Sequence, residues 1–148
     1  YLAGHIDNVY AQSSRLALDY GTDDTTSMLF KFRSNATAYL STVIATAETW
    51  RLQVCGSRGW AEVGDVQHLT TWTLRTCFFD PANPYVHPQP QTITFPDTST
   101  EREELEQFAD AVKAKQPLAI AGGDEEHNVT VLEAILESAA KGASVRIS

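Results

Sequence analysis

The chain has 148 residues, a length typical of one domain, and 43% of them are hydrophobic while 20% are charged. A net charge of -8, with only 11 lysines and arginines spread along the chain, argues against nucleic acid as a partner. No run approaches the roughly 18 apolar residues of a membrane span, so we expect a soluble protein without a membrane partner. Cys55 and Cys77 match no metal or redox spacing and no signal peptide is present, which favours reduced thiols and a cytoplasmic location.

Short runs of β-branched and aromatic residues up to about Phe95 predict a succession of strands. The predicted strands are 9–18, 28–32, 37–45, 51–55, 60–63, 69–74 and 92–95. Gly56 and Gly59 enclose a turn between two alternating runs, which predicts a hairpin because glycine adopts positive φ without strain. The proline-rich segment 80–90 excludes both a helix and a central strand.

The sequence after Pro96 favours helices. A capping box of Thr100 and Glu103 begins the first predicted helix. Its apolar stripe consists of Leu105, Phe108, Ala109 and Val112. The second predicted helix is capped by Asp124 and ends at Gly142, and its stripe consists of Val129, Leu132, Leu136 and Ala139, widened by Ile135. Residues 145–147 predict a short closing strand at a sheet edge.

Strands followed by two helices predict an α+β domain over residues 1–148, with an open, largely antiparallel sheet. Both helices are expected to pack on one face of that sheet, because each has one apolar stripe to bury. The other face is then available for oligomerisation. The chain has more aromatic surface than two helices can cover, and these side chains either form this second face or complete the core. They are Phe30, Tyr39, Trp50, Trp60 and Trp72.

Several segments, in order and spacing, resemble the C-terminal domain of the glucose-fructose oxidoreductase, inositol dehydrogenase and rhizopine-catabolism (Gfo/Idh/MocA) family. They are 9–11, 24–32, 52–60, 105–112 and 131–139. The resemblance implies a substrate-side domain that is joined to an N-terminal Rossmann domain holding NAD or NADP. It also implies homo-oligomers built through the open sheet face, and hydride transfer on a sugar, cyclitol or similar hydroxyl compound.

The catalytic elements of that family do not occur in the sequence. There is no G-x-G-x-x-G fingerprint and no Glu-Lys-Pro motif, and no Asp stands four residues before any histidine. The chain starts at Tyr1 in patterned sequence, so we expect it to follow a cofactor domain in a longer polypeptide. As an isolated fragment it is expected to bind no cofactor and no metal and to be inactive.

Tyr85 and His87 in the proline-rich segment are the candidate residues for contact with substrate or with another subunit, because prolines on either side restrict the loop. The pairs His5/Asp7 and Asp65/His68 lack converging partners, which disfavours acid–base catalysis. Two functions remain open. One is the substrate and assembly domain of an NAD(P)-dependent oxidoreductase; the other is a free-standing α+β module that binds a ligand or mediates oligomerisation.

Overall fold

The computed structural model describes residues 2–66, 71–83, 85–86, 88–116 and 124–147. It contains two compact units, Tyr1–Thr46 with Ala119–Ser148, and Ala47–Leu118. The strands are β1 (Ile6–Ser14), β2 (Thr25–Phe32), β3 (Thr37–Val43), β4 (Trp50–Gly56), β5 (Gly59–Asp65), β6 (Thr73–Phe78), β7 (Gln91–Thr94) and β8 (Val145–Arg146). The helices are α1 (Thr100–Ala114) and α2 (Asp124–Lys141). The predicted α+β class, with open antiparallel pairing and two C-terminal helices, is confirmed, but the strands form two four-stranded sheets rather than the single sheet on which both helices were expected to pack.

The first unit is a four-stranded antiparallel sheet, in the order β3-β2-β1-β8, with α2 on one face. Alternation along the strands directs one set of side chains towards the helix. The buried core consists of Val9, Ala11, Met28, Phe30, Val131, Ala134 and Ile147. The predicted closing strand is confirmed as the edge strand β8.

β1 is shorter than predicted because the backbone turns after Ser14. The carboxylate of Asp24 accepts hydrogen bonds from the backbone N–H groups of residues 16, 17 and 18, and from the Thr25 hydroxyl. Three successive N–H groups directed at one carboxylate cannot also point alternately into a sheet. Asp24 therefore ends β1 and holds the turn that leads into β2.

α2 is attached to the sheet by the fully buried hydroxyl of Ser138. The Ala11 N–H donates to Ser138 Oγ over 2.8 Å, and the hydroxyl donates in turn to the Ala143 carbonyl over 2.6 Å. β8 pairs with β1 only at Asn8 and Val9, so the Ala11 N–H lies beyond the end of that ladder. Ser138 replaces the missing strand partner and also fixes the chain after the helix.

The second unit has a separate four-stranded antiparallel sheet in the order β4-β5-β6-β7. Gly56 is opposite Gly59 in a two-residue hairpin, which confirms the predicted turn. Gly59 has φ +152, and a Cβ there would lie 2.1 Å from the Cys77 carbonyl oxygen. The strand predicted over 69–74 is found further along, over Thr73–Phe78, because pairing with β5 sets its position; residues 67–70 lie outside the described part.

α1 begins at a different cap from the predicted one. The Ser99 side chain accepts from the Arg102 N–H, while Glu103 accepts from the Thr98 hydroxyl over 2.6 Å. Lys115 ends the helix in a left-handed conformation with φ 52. Neither helix combines the length and apolar character needed to cross a membrane, within the part of the chain that the structure describes.

The apolar stripes predicted for the helices are buried only in part, since Ile135 and Ala139 of the α2 stripe pack against the core while its other members are exposed. None of the α1 residues is buried, and Leu105, Phe108 and Val112 are all exposed. In α2 the buried positions carry Val131, Ala134 and Ser138, whereas Leu132 and Leu136 are 61% and 71% exposed. Ala134 and Ser138 are small residues on the side of α2 that faces the sheet, whereas Leu132 and Leu136 face away from it.

Candidate functional site

Of the two predicted contact residues, Tyr85 belongs to the part of the chain that the structure describes. Tyr85 is 92% exposed, and His87 lies outside the described residues. Asp80 stabilises the start of this segment, because its carboxylate accepts from the Ala82 N–H and from the Asn83 amide. The hydrogen bond from the Ala82 N–H, and to a smaller extent the one from the Asn83 amide, lowers the pKa of Asp80. Tyr85 is therefore presented by an anchored turn.

Two histidines meet in the first unit, which the sequence did not predict. The rings of His5 and His127 stack with their centroids 4.3 Å apart, and the Ile6 N–H donates to His127 Nε2 over 2.9 Å. Asp7, considered with His5 as a catalytic pair, forms an ion pair with Arg146 at 3.7 Å. His68, the partner considered for Asp65, lies outside the described residues.

The face of the first sheet opposite α2 carries a row of large side chains. Tyr10 is opposite Leu29, and Leu29 is opposite Tyr39, so the three lie side by side across the strands. Leu29 and Tyr39 are exposed. Hydrogen bonds with the hydroxyls of Ser27 and Ser41 lower the pKa of Tyr39. Hydroxyl groups thus border an apolar strip in the middle of this face.

One face of the second sheet is apolar. Leu52 is opposite Val63, and Val54 is opposite Ala61, which places these four side chains on one side of the hairpin. Leu52 and Val54 remain exposed. A contiguous exposed apolar patch of this kind is typical of a surface that another protein covers.

The other face of the same sheet is polar. Glu62 is paired with Arg75 at 3.0 Å and with Arg51 at 3.8 Å, and it accepts from Gln53. The Arg75 guanidinium also lies over the Trp60 ring, 5.7 Å from its centre. The Glu62 carboxylate is therefore paired with polar groups from both neighbouring strands. The free thiols Cys55 and Cys77 flank Trp60 in register on the same face.

A cleft of about 720 Å³ in the second unit is large enough for a small molecule. Trp72, Leu74 and Phe95 supply apolar walls, and Asp97 and Glu103 supply carboxylates. Trp72 Nε1 is buried and has no hydrogen-bond partner among the described residues. No group of three side chains suited to a metal occurs in the described ranges.

The amino-acid sequence matches the family model described as the GFO/IDH/MocA C-terminal domain over residues 1–62. The predicted resemblance to this domain is confirmed. No curated protein matches the sequence. The matched range contains β1 to β4 and the first residues of β5.

Solved structures share the fold of this chain over almost its whole length. An aldose-aldose oxidoreductase from Caulobacter crescentus, complexed with glycerol, is 21% identical with a TM-score of 0.79, over 97% of this chain and 42% of its own. The WlbA dehydrogenase from Bordetella pertussis, in complex with NADH and UDP-GlcNAcA, is 16% identical with a TM-score of 0.71, over 100% and 40%. A levoglucosan dehydrogenase, in complex with NADH and L-sorbose, is 15% identical with a TM-score of 0.80, over 100% and 46%. The chain spans less than half the length of each.

Sequence reasoning missed two polar residues that organise the units, Ser138 and Glu62. Ser138 lies in an apolar helical repeat, four residues before Gly142, and a small hydroxyl in that setting is the signal that was available. Glu62 alternates with Ala61 and Val63, a pattern that indicates a strand and gives Glu62 no further role. Its partners are on neighbouring strands, and their convergence depends on strand pairing that no local pattern reveals.

Proposed function

We propose that the chain is the substrate-side and oligomer-forming domain of an NAD(P)-dependent oxidoreductase that acts on a sugar, cyclitol or similar hydroxyl compound. A Rossmann domain of the same polypeptide supplies NAD or NADP. The fragment alone is inactive and binds no cofactor, and the enzyme is cytoplasmic. Support comes from the family match and from relatives of similar fold that were solved with NADH and with polyhydroxylated molecules.

The observation that carries the proposal is that α2 is apolar on two sides. One side packs on the sheet through Val131 and Ala134, and the other exposes Val129, Leu132 and Leu136 at helical spacing. Full burial of a leucine or valine side chain contributes about 1.5–3 kcal/mol, so leaving three of them in water forgoes a substantial stabilisation. A helix of this type is expected between two layers, with a second domain as the outer layer.

The open sheet faces support the oligomer-forming part of the proposal. The row of Tyr10, Leu29 and Tyr39 in the first unit and the Leu52/Val54 patch in the second unit both expose apolar area. Antiparallel sheets that face water on one side normally alternate with polar residues there. A two-fold contact between copies would cover these faces with the same residues from each subunit.

The alternative is a free-standing α+β module that binds a ligand or mediates oligomerisation. The cleft beside Trp72 and Phe95 is the feature that favours it, since this concavity lies wholly within one unit. The reading frame upstream of Tyr1 separates the two functions. A preceding strand, glycine-rich turn and helix supports the oxidoreductase, and a start codon at or just before Tyr1 supports the module.

The direct test is activity of the polypeptide encoded by the whole reading frame. We expect it to reduce NAD or NADP when supplied with sugars or cyclitols, and we expect the 148-residue chain alone to show no saturable nucleotide binding tighter than about 1 mM in calorimetry. Nucleotide binding by the chain alone would contradict the proposal.

Substitution of the outer side of α2 tests its contact with the second domain. Leu132→Glu in the complete polypeptide is expected to separate the domains, seen as increased proteolysis between them and lower activity, while the 148-residue variant keeps its melting temperature. Glu133→Gln, an exposed neighbour on the same helix, is the matched control and is expected to change neither property. Unchanged activity and proteolysis in Leu132→Glu would show that this stripe contacts nothing.

A further inference from the structure

Positive charge is scarce in this protein, yet it is concentrated in one cleft of the first unit. Three of the 11 lysines and arginines, Lys31, Arg33 and Arg146, line a cleft of about 700 Å³. The chain as a whole has a net charge of -8. The cleft therefore differs in sign from the average surface around it.

Strand register explains why these cations lie together. Asn8 in β1 is opposite Lys31 on one side and Arg146 on the other, so both side chains project from the same face of the sheet. The Arg33 N–H donates to the His5 carbonyl over 3.0 Å, which continues the pairing of these two segments past the end of β2. Arg33 is two residues from Lys31, a spacing that keeps it on that side.

The positive charge in the cleft is not neutralised. Asp7 is the only carboxylate among the lining residues, and its contact with Arg146 is a single one at 3.7 Å. Lys31 and Arg33 form no ion pair with any residue that the structure describes. Among the described residues that line the cleft, three cations face one carboxylate, which leaves an excess of two positive charges.

The remaining lining groups define what kind of molecule suits the cleft. Lysine and arginine side chains are donors only, so they recognise acceptors such as carboxylate or phosphate oxygens. Asn35 adds an amide, and its backbone has φ 68 in the turn that closes the cleft. Phe32 and Ile147 also line the cleft, although their side chains pack into the core of the unit, so the polar groups dominate what the cleft offers.

We propose that this cleft binds a small organic dianion through its oxyanion groups, in a site formed by Lys31, Arg33 and Arg146. Phosphate monoesters and dicarboxylates share this chemistry, because each presents two negative charges on acceptor oxygens. The site needs no cofactor, because all of its lining residues belong to one unit. Lys31 lies on the same face of the sheet as Leu29, so a contact between copies on that face would border the cleft.

The test is titration of the 148-residue chain by calorimetry at low ionic strength, with inorganic phosphate in one arm and tartrate in the other. We expect saturable binding with one site per chain, weakened by added sodium chloride because salt screens the attraction. Binding of phosphate alone assigns the site to phosphate groups, and binding of tartrate alone assigns it to dicarboxylates; either supports the proposal. Absence of saturable binding in both arms overturns it.

Charge variants locate the site. Arg33→Met and Lys31→Met are each expected to weaken binding about tenfold, as for loss of one charge-assisted hydrogen bond. Asp7→Asn is expected to strengthen binding, because it removes the one negative group. Arg58→Met, in the exposed β4–β5 turn, changes the net charge equally and is expected to leave affinity unchanged. Equal weakening by Arg58→Met, or weakening by Asp7→Asn, would overturn the assignment.

Discussion

Ser138 shows how one small side chain can join a helix to a sheet. Its hydroxyl accepts from the Ala11 N–H in a buried hydrogen bond and donates to the Ala143 carbonyl in a partly buried one. Neither backbone group has an alternative strand partner where the β8 ladder has ended. The stability of the first unit therefore depends on this hydroxyl more than its size suggests.

Replacement of Ser138 by alanine leaves one buried donor and one carbonyl without their partner. We expect the free energy of unfolding to fall by about 1–3 kcal/mol, with a decrease of several degrees in the melting temperature. Thermal and urea unfolding measure this change. Ser57→Ala, in the exposed hairpin turn, is the control; an equal effect of the two substitutions would contradict the assigned role.

Asp24 is the second residue on which local structure depends. Only 1% of its surface is exposed, and the hydrogen bonds from the Leu18 and Ala17 N–H groups hold its pKa far below the usual value, against the opposing effect of burial. A carboxylate whose folded pKa is lowered stabilises the protein above its unfolded pKa of about 3.9. That stabilisation is lost progressively as the pH falls towards the folded pKa.

Asp24→Asn tests this linkage. At neutral pH we expect the variant to be less stable than the parent chain, because the amide cannot accept from all three N–H groups. Urea unfolding at a series of pH values is expected to show the difference narrowing from about pH 5 downwards, as the parent loses the contribution of the charged carboxylate. A difference that is constant over this range would mean that the charge of Asp24 contributes nothing.

Among the elements, the β4–β5 hairpin is the one that the sequence predicts best. Its glycines and alternating runs are local signals, and the turn lies where they predict it, with Gly56 opposite Gly59. Two features require glycine at position 59. Its φ is +152, and an added Cβ would meet backbone atoms of Cys77 and Phe78 in β6. Backbone atoms in a paired strand cannot move aside as a flexible side chain does.

Gly59→Val is expected to destabilise the chain by about 1–3 kcal/mol from the backbone conformation alone, with a further cost from displacement of β6. Differential scanning calorimetry is the measurement. Gly21→Val is a suitable control, because nothing lies within 4 Å of a Cβ built there. If both variants melted at the temperature of the parent, the close approach of β5 and β6 would be wrong.

The elements that the sequence misplaced depend on distant residues. β1 ends early because Asp24, which follows the turn, captures the N–H groups of residues 16–18. β6 is displaced because its register is set by β5, where Trp60 is opposite Cys77. The stripe predicted for α2 left out the residues that are buried in it, which are Val131, Ala134 and Ser138. Side-chain size predicts burial poorly where a close approach is needed.

The candidate sites also divide into those that a local sequence signal predicts and those that depend on distant residues. Sequence reasoning selected Tyr85 from its loop, and the structure shows that residue exposed on an anchored turn. It did not select the His5/His127 stack or the cationic cleft, since both join residues from opposite ends of the chain. The packing of α2 on β1 forms the histidine stack, and the pairing of β1 with β2 and β8 forms the cleft.

For the whole molecule, the proposed function requires that another copy of the chain cover the apolar faces of its sheets. A specific two-fold contact is expected to bury about 1,200–2,000 Å² in total. Val54→Glu on the second sheet and Val43→Glu on the first, both exposed positions, are expected to dissociate such a dimer without unfolding the subunit. Circular dichroism confirms that each variant remains folded.

Multi-angle light scattering of the chain at micromolar concentration tests this claim most directly. The predicted result is a mass of twice 16.3 kDa or a higher multiple, reduced to the single-chain value in at least one of the two glutamate variants. A parent chain that stays at 16.3 kDa across the micromolar range would contradict the claim.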